Sequence, residues 1–388
     1  AKVLAAGLGK QLDLLRLESA NSETGVRLSS ALTAVVLVGA AALSRLGAEA
    51  RSGAATALLD GALLRSRAPS HSKLLRQAIS ALEDASLDVL PRGPSSKRRR
   101  RLWGSGTAQP GDTNLHASSC QRWPPLGLRA CEATEDESLV AAFGAAVEPL
   151  VARAIAKKWP AVERWSDPAY LARVAGHRLV PIEVGASHLE GDGVASEGVT
   201  EQQILCTLEE FVEIVVLGGR AATCGGGAPR SVSSTVPVTA AGTRGYLAQH
   251  PLFDQIPALA SDLCHPPGVP SCADRRAWFG PACTATPIHY DHHHGLLVQI
   301  VGHKLVLLWP AEARALLRAP PVGSELANTS PIDVEALGDA ERSALDAACI
   351  FVELTPGDAV LIPKGWWHYA RSLTVSFSVS FWWDDEFQ

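Results

Sequence analysis

The stretch Trp278–Pro310, WFGPACTATPIHYDHHHGLLVQIVGHKLVLLWP, decides the fold. His289 and Asp291 stand two residues apart in an apolar, β-leaning run, so on a strand both side chains leave the same face. A second apolar run, Trp366–Trp383 (WWHYARSLTVSFSVSFWW), carries His368, which an antiparallel pairing across a barrel would bring to the same point. Two imidazoles and one carboxylate form the facial triad of non-haem Fe(II) oxygenases, which leaves coordination positions open.

An isolated His-x-Asp pair is weak evidence, since most are surface residues. Three features strengthen it here. Lys304 interrupts the apolar pattern of VGHKLVLLWP, where a buried ammonium is costly unless it meets an anion. PGDAVLIPKGWWHYA reads as a turn, a short strand and then a histidine. SFSVSFWW alternates small polar with bulky apolar residues, as a barrel strand with one packed face should.

With these motifs in place, the chain resembles the JmjC family, whose fold is a double-stranded β-helix of the cupin type. Further strings carry the likeness: YLAQHPLFDQIPALASD at Tyr246–Asp262, RLVPIEVG at Arg178–Gly185 and WPAVERWSDPAYL at Trp159–Leu171. The resemblance implies an α+β chain, with a helical N-terminal region over 1–88, a flexible basic linker over 89–138 and a JmjC catalytic domain (cupin/jelly-roll barrel) over 139–388. It implies Fe(II) on His289, Asp291 and His368, with 2-oxoglutarate and O2 as co-substrates. The far carboxylate of 2-oxoglutarate would meet Lys304, Tyr246 and Thr286. Glu183 and Trp278 would receive a substrate side chain. One departure stands out: the family pattern has asparagine six residues after the first metal histidine, where this chain has Gly295. His293 shares the alternation face of His289 and Asp291, so it is either a competing ligand or part of a surface loop.

The resemblance implies hydroxylation of arginine in protein substrates, with JmjC-type lysine demethylation as the alternative. A guanidinium suits Glu183 and the indole of Trp278. A trimethylammonium wants several aromatics around one point, and only four tyrosines are present. A third reading is a cupin-like scaffold without turnover, whose partners include chromatin-associated proteins.

The rest of the chain bounds these readings. Its 388 residues, 47% hydrophobic, suffice for one large or two ordinary domains, and a net charge of −5 gives no global argument for nucleic acid. No methionine occurs, position 1 included, so the true start and any targeting peptide are expected to lie outside the sequence. Residues 1–88 read as Ala- and Leu-rich helices. Leu28–Ser44 is uncharged for 17 residues, a borderline span that reads rather as a core helix. Leu90–Pro125 has linker composition, and its Lys97–Arg101, KRRRR, is either a nuclear localisation signal, a phosphate-binding patch or a solvated charge run. A nuclear or cytoplasmic location follows, with no membrane favoured. Helices are expected over Ser138–Trp159 and in ILCTLEEFVEIVVL from Ile204, with Ser166 capping a helix before Pro168. Gly191–Gly198 and Gly218–Pro229 are loops without a phosphate-loop context. The eight cysteines include no CxxC pair, which argues against a zinc ribbon and for reduced thiols.

Overall fold

The structure is a computed structural model, and it describes residue 60, residues 130–131, 147–185, 202–216 and 244–324, and residues 326–384. The expectations for the helical region over 1–88, for Leu28–Ser44, for the linker with its KRRRR run and for both glycine-rich loops lie outside these residues, except that Asp60 falls in the first and that Ala130–Cys131, within the expected linker over 89–138, form a strand.

The described strands form two sheets. β1 (Ala130–Cys131), β2 (Leu150–Ala152), β11 (Ala359–Ile362), β8 (His294–Val301), β13 (Ser376–Trp383), β6 (Asp274–Gly280), β5 (Arg244–His250), β3 (Leu179–Gly185) and β4 (Gln202–Thr207) lie side by side in that order. The smaller sheet has the order β10 (Ile350–Leu354), β9 (Lys304–Trp309), β12 (Trp367–Ser372) and β7 (Ala285–Tyr290). Every pairing but β1 with β2 is antiparallel. This is the jelly-roll that the family resemblance implies.

Alternation sorts the side chains into layers. On β9, Val306 and Leu308 join Leu297, Val352, Val360 and Ile362 in a core shared by the two sheets. Leu305, Leu307 and Trp309 point the other way, onto the excursion over 310–349, where they meet Leu317, Val334 and Leu345. Both faces of β9 are therefore buried, which is why its sequence reads as a nearly unbroken apolar run. On β13, Phe377, Val379 and Phe381 pack outward onto Trp159, Trp165 and Phe253. Gly302 turns β8 into β9 at φ +71°, and a Cβ there would lie 1.8 Å from the Val375 carbonyl oxygen, so only glycine fits.

Three local expectations are corrected. Within Ser138–Trp159, residues 150–152 are a strand rather than a helix, because Pro149 precedes a segment whose Val151 pairs with Val360. The ILCTLEEFVEIVVL run opens as strand β4 and becomes helical only at Leu208, where Thr207 and Glu210 form a capping box. The second of two short helices, α1 (Pro160–Arg164) and α2 (Pro168–Ala175), is capped by Asp167, which accepts from the Ala169 amide at 3.0 Å; Ser166 instead donates to the Glu163 carbonyl. β3, which carries Glu183, lies between β4 and β5 and is not an edge strand.

At the head of β3, Arg178 donates from Nε and Nη2 to Asp60, each at 2.6 Å, and also to the Gln255 carbonyl. Asp60 additionally accepts from the Leu179 amide at 3.1 Å. Both side chains are wholly buried. Burial of this kind costs little while the pair is intact and much once one partner is lost. Asp60→Ala is expected to lower the unfolding free energy by about 3–5 kcal/mol, whereas Asp60→Leu combined with Arg178→Met recovers most of that loss; urea unfolding midpoints of the full chain check both.

Candidate metal centre

The pairing of β7 with β12 sets His368 directly opposite His289. Two residues further along β12, Ala370 lies opposite Thr286, so three steps on β7 oppose two on β12. This is a β-bulge at Pro287–Ile288. Its consequence is a change of parity: Thr286 faces the barrel interior before the bulge, and His289 and Asp291 face it afterwards. Ile288, between them, is turned outward into the core against the excursion.

His289 Nε2 lies 3.8 Å from Asp291 Oδ1, and His368 Nε2 lies 3.8 Å from Asp291 Oδ2. The two imidazoles are 4.2 Å apart between ring centres, and one ligand atom from each of the three residues falls within 4.8 Å of the other two. The tautomers follow from the backbone. His289 Nδ1 lies 2.8 Å from the Pro287 carbonyl, and His368 Nδ1 lies 3.0 Å from the Trp366 carbonyl. A carbonyl only accepts, so each Nδ1 carries the proton and each Nε2 presents a lone pair to the shared point. Burial, with His289 as second cause, pushes His368 down to about 4, which keeps it neutral near pH 7. Two imidazoles whose Nε2 atoms each lie 3.8 Å from one carboxylate fit a divalent transition metal.

The cavity in front of these ligands holds about 470 Å³ of free space, its open mouth included. Lys304 enters it from the first residue of β9, 2% exposed. No ion pair is made by its ammonium among the described residues, and burial pushes its pKa down to about 7. Tyr246 and Thr286 line the same cavity, joined by a side-chain hydrogen bond. Burial raises the Tyr246 phenol, the Thr286 bond opposes this, and the nearby Glu183 carboxylate adds to it, so the phenol is neutral and able to donate. Leu297, Ile362, Ala370 and Gly295 give part of the wall an apolar or small lining.

Trp278 lines the cavity, whereas Glu183 does not. Glu183 is half-buried on β3, opposite Tyr246, and its charge reaches the cavity through that neighbour. His293 is not brought to the metal point: its side chain is exposed and its Nδ1 lies 2.6 Å from Asp384. Of the two readings open for that histidine, the surface position is the observed one. Trp382 and Ser380 also line the cavity and were missed. The signal was present in SFSVSFWW, since positions 378, 380 and 382 share one face of a strand. The expectation of few aromatics around one point is likewise corrected. Tyr246, Trp278 and Trp382 form a chain of ring contacts, with centres 6.1 and 6.3 Å apart.

Comparison with known proteins places this region in a known family. Residues 137–388 match the family described as "Cupin-like domain". The chain is 39% identical over 233 residues to "Lysine-specific demethylase JMJ30" of Arabidopsis thaliana, covering 59% of this chain and 48% of that protein. It is 39% identical over 237 residues to "Jumonji C domain-containing protein 5" of Drosophila melanogaster, covering 58% and 52%. It is 36% identical over 247 residues to "Lysine-specific demethylase 8" of Xenopus tropicalis, covering 61% and 48%. The chain thus spans about half the length of these relatives. Its matched region holds every residue of the metal centre, and the chain belongs to the cupin-like domain family, on its JmjC side.

Proposed function

We propose that this chain is an Fe(II)- and 2-oxoglutarate-dependent oxygenase that hydroxylates arginine side chains of protein substrates. The observation that carries the reading is the meeting of His289, Asp291 and His368 at one point of a cavity that also holds the otherwise uncompensated ammonium of Lys304. His289, Asp291 and His368 would hold the metal through two Nε2 atoms and a carboxylate oxygen. Bound Fe(II) would supply activation of O2 coupled to decarboxylation of 2-oxoglutarate to succinate and CO2.

The protein's own contribution is placement. Lys304 offers a charge-assisted bond to the far carboxylate of the co-substrate, and Tyr246 and Thr286 offer neutral donors beside it. Leu297, Ile362 and Ala370 keep water away from the reacting region. Trp278 presents a ring to a guanidinium, and Glu183 adds negative charge behind Tyr246, which together favour a planar cation. Lysine demethylation is the second reading. It is favoured by the names of two relatives and by the grouping of Tyr246, Trp278 and Trp382, which would also suit a methylated ammonium.

The deciding measurement is succinate release with Fe(II), ascorbate and 2-oxoglutarate, followed by mass spectrometry of added peptides. A gain of one oxygen on arginine supports the first reading. Loss of a methyl group as formaldehyde supports the second, and metal binding without succinate supports a scaffold. Asp291→Ala and His368→Ala are expected to give no succinate above the metal-free background while melting as the wild type does.

Lys304 sets a pH dependence. Its pKa of about 7 in the free cavity rises when a dicarboxylate arrives, so binding is full below about pH 7 and is lost as pH climbs above it, by up to about tenfold per unit. Lys304→Met is expected to weaken 2-oxoglutarate binding by about 10–100-fold at pH 6.5 and to flatten the profile above pH 7. Calorimetric titration of the Mn(II)-loaded protein between about pH 6 and 9, the range that brackets this ammonium, checks both.

A further inference from the structure

Other buried cations of the described residues are paired: Arg178 meets Asp60, and Arg371 meets Glu335. Lys304 is not. It is 2% exposed, and its Nζ makes neither an ion pair nor a hydrogen bond among the described residues. Asp291, the carboxylate on the same cavity wall, faces His289 and His368 instead.

The nitrogen is nonetheless accessible. Among the described residues the sealed side-chain polar atom without a partner is Asp346 Oδ1, so Nζ is not enclosed by protein and opens onto the cavity that Lys304 lines. That cavity has an open mouth and about 470 Å³ of free space, ample for a triatomic gas.

An amine so placed has a chemistry of its own. Burial without an anion favours its neutral form, with the pKa brought down to about 7, and a neutral amine carries the lone pair that an ammonium lacks. Small uncharged electrophiles enter such a space without the desolvation cost of an ion. Dissolved CO2 is one, and the oxygenase reaction proposed above releases it in this cavity. The Tyr246 phenol and the Thr286 hydroxyl line the same wall and suit the oxygens of the product.

We infer that Lys304 is a carbamylation site: its Nζ adds to CO2, and the cavity holds the resulting carbamate. The nitrogen lone pair forms an N–C bond, one C=O π pair moves onto oxygen, and one N–H proton leaves to solvent. No oxidant or reductant takes part, and return of the proton with loss of CO2 reverses the step. Position 304 thereby becomes an anion. Under the co-substrate reading, carbamate and 2-oxoglutarate exclude each other, so CO2 restrains the reaction that forms it; carbamylation itself does not depend on that reading.

The test equilibrates the full chain, without added metal, with isotopically labelled bicarbonate. Carbon NMR is expected to show a carbamate resonance that is absent from Lys304→Arg, which keeps a cation and loses the nucleophile. Esterification of the carbamate with a trialkyloxonium salt, followed by peptide mass spectrometry, should place the adduct on Lys304 at about tenfold or higher occupancy than on the exposed Lys157, Lys158 and Lys364. An adduct on Lys304 no greater than on those three, or a resonance unchanged in Lys304→Arg, overturns the inference. Should Lys304→Arg not fold, the peptide map of the wild type decides alone. In the Mn(II)-loaded chain, added 2-oxoglutarate is expected to remove the Lys304 adduct. An adduct that forms but survives saturating 2-oxoglutarate upholds carbamylation and overturns the co-substrate reading, so the two fail separately.

Discussion

The candidate site depends on one strand pairing, β7 against β12, and on the irregularity within it. With a regular ladder, Thr286 and His289 would face opposite sides of the sheet, since they are an odd number of residues apart. The bulge at Pro287–Ile288 removes that conflict and places the hydroxyl, the imidazole and Asp291 on the cavity side. The same bulge supplies the carbonyl that holds His289 Nδ1. A single extra residue therefore aims one ligand, sets its tautomer and recruits a second polar group to the cavity. Proline suits the position, because it lacks the amide proton that a continuous ladder would use.

Charge burial supplies the second constraint. An ammonium at the root of β9 costs stability in the empty cavity, as its pKa of about 7 expresses. The fold meets that cost with its deepest packing: Val306 and Leu308 lie on the same face of β9 as Lys304, wholly buried between the sheets. The three candidate metal ligands lie on strands β12 and β7 and at the end of β7, in the same sheet as β9, so the ammonium and the candidate metal point share one wall.

Much of this was legible in the primary structure because the informative features are short-range and periodic. His289 and Asp291 declare a common face, Lys304 declares itself by breaking an apolar run, and Gly302 marks the turn between β8 and β9. What could not be read locally was set by tertiary partners. Val151 is in a strand because β1 and β11 lie on either side of it, and Ile204 belongs to β4 because β3 pairs with it. The family resemblance makes Glu183 a substrate carboxylate. It is neither at the cavity wall nor at an edge, because β4 and β5 enclose its strand. The parity of SFSVSFWW, followed through to position 382, would have named Trp382.

The excursion over 310–349 completes the argument for a preorganised site. β7 ends the smaller sheet and would otherwise expose one side of the strand that carries His289. Residues 328–330 close that side: the Tyr290 amide donates to the Asn328 carbonyl at 3.0 Å, the Ser330 amide donates to the Ile288 carbonyl at 2.8 Å, and Thr329 bridges His289. Asn328 Nδ2 adds a bond to the Tyr290 carbonyl. The first ligand strand is thereby gripped from both sides, by β12 through its bulged ladder and by the excursion through its backbone. Ile288 and Trp367, turned away from the cavity, anchor both ligand strands in the core beneath the excursion. Since a metal centre tolerates little drift in its ligands, a long segment that contributes no ligand still bears on the chemistry by holding fixed the strand that does.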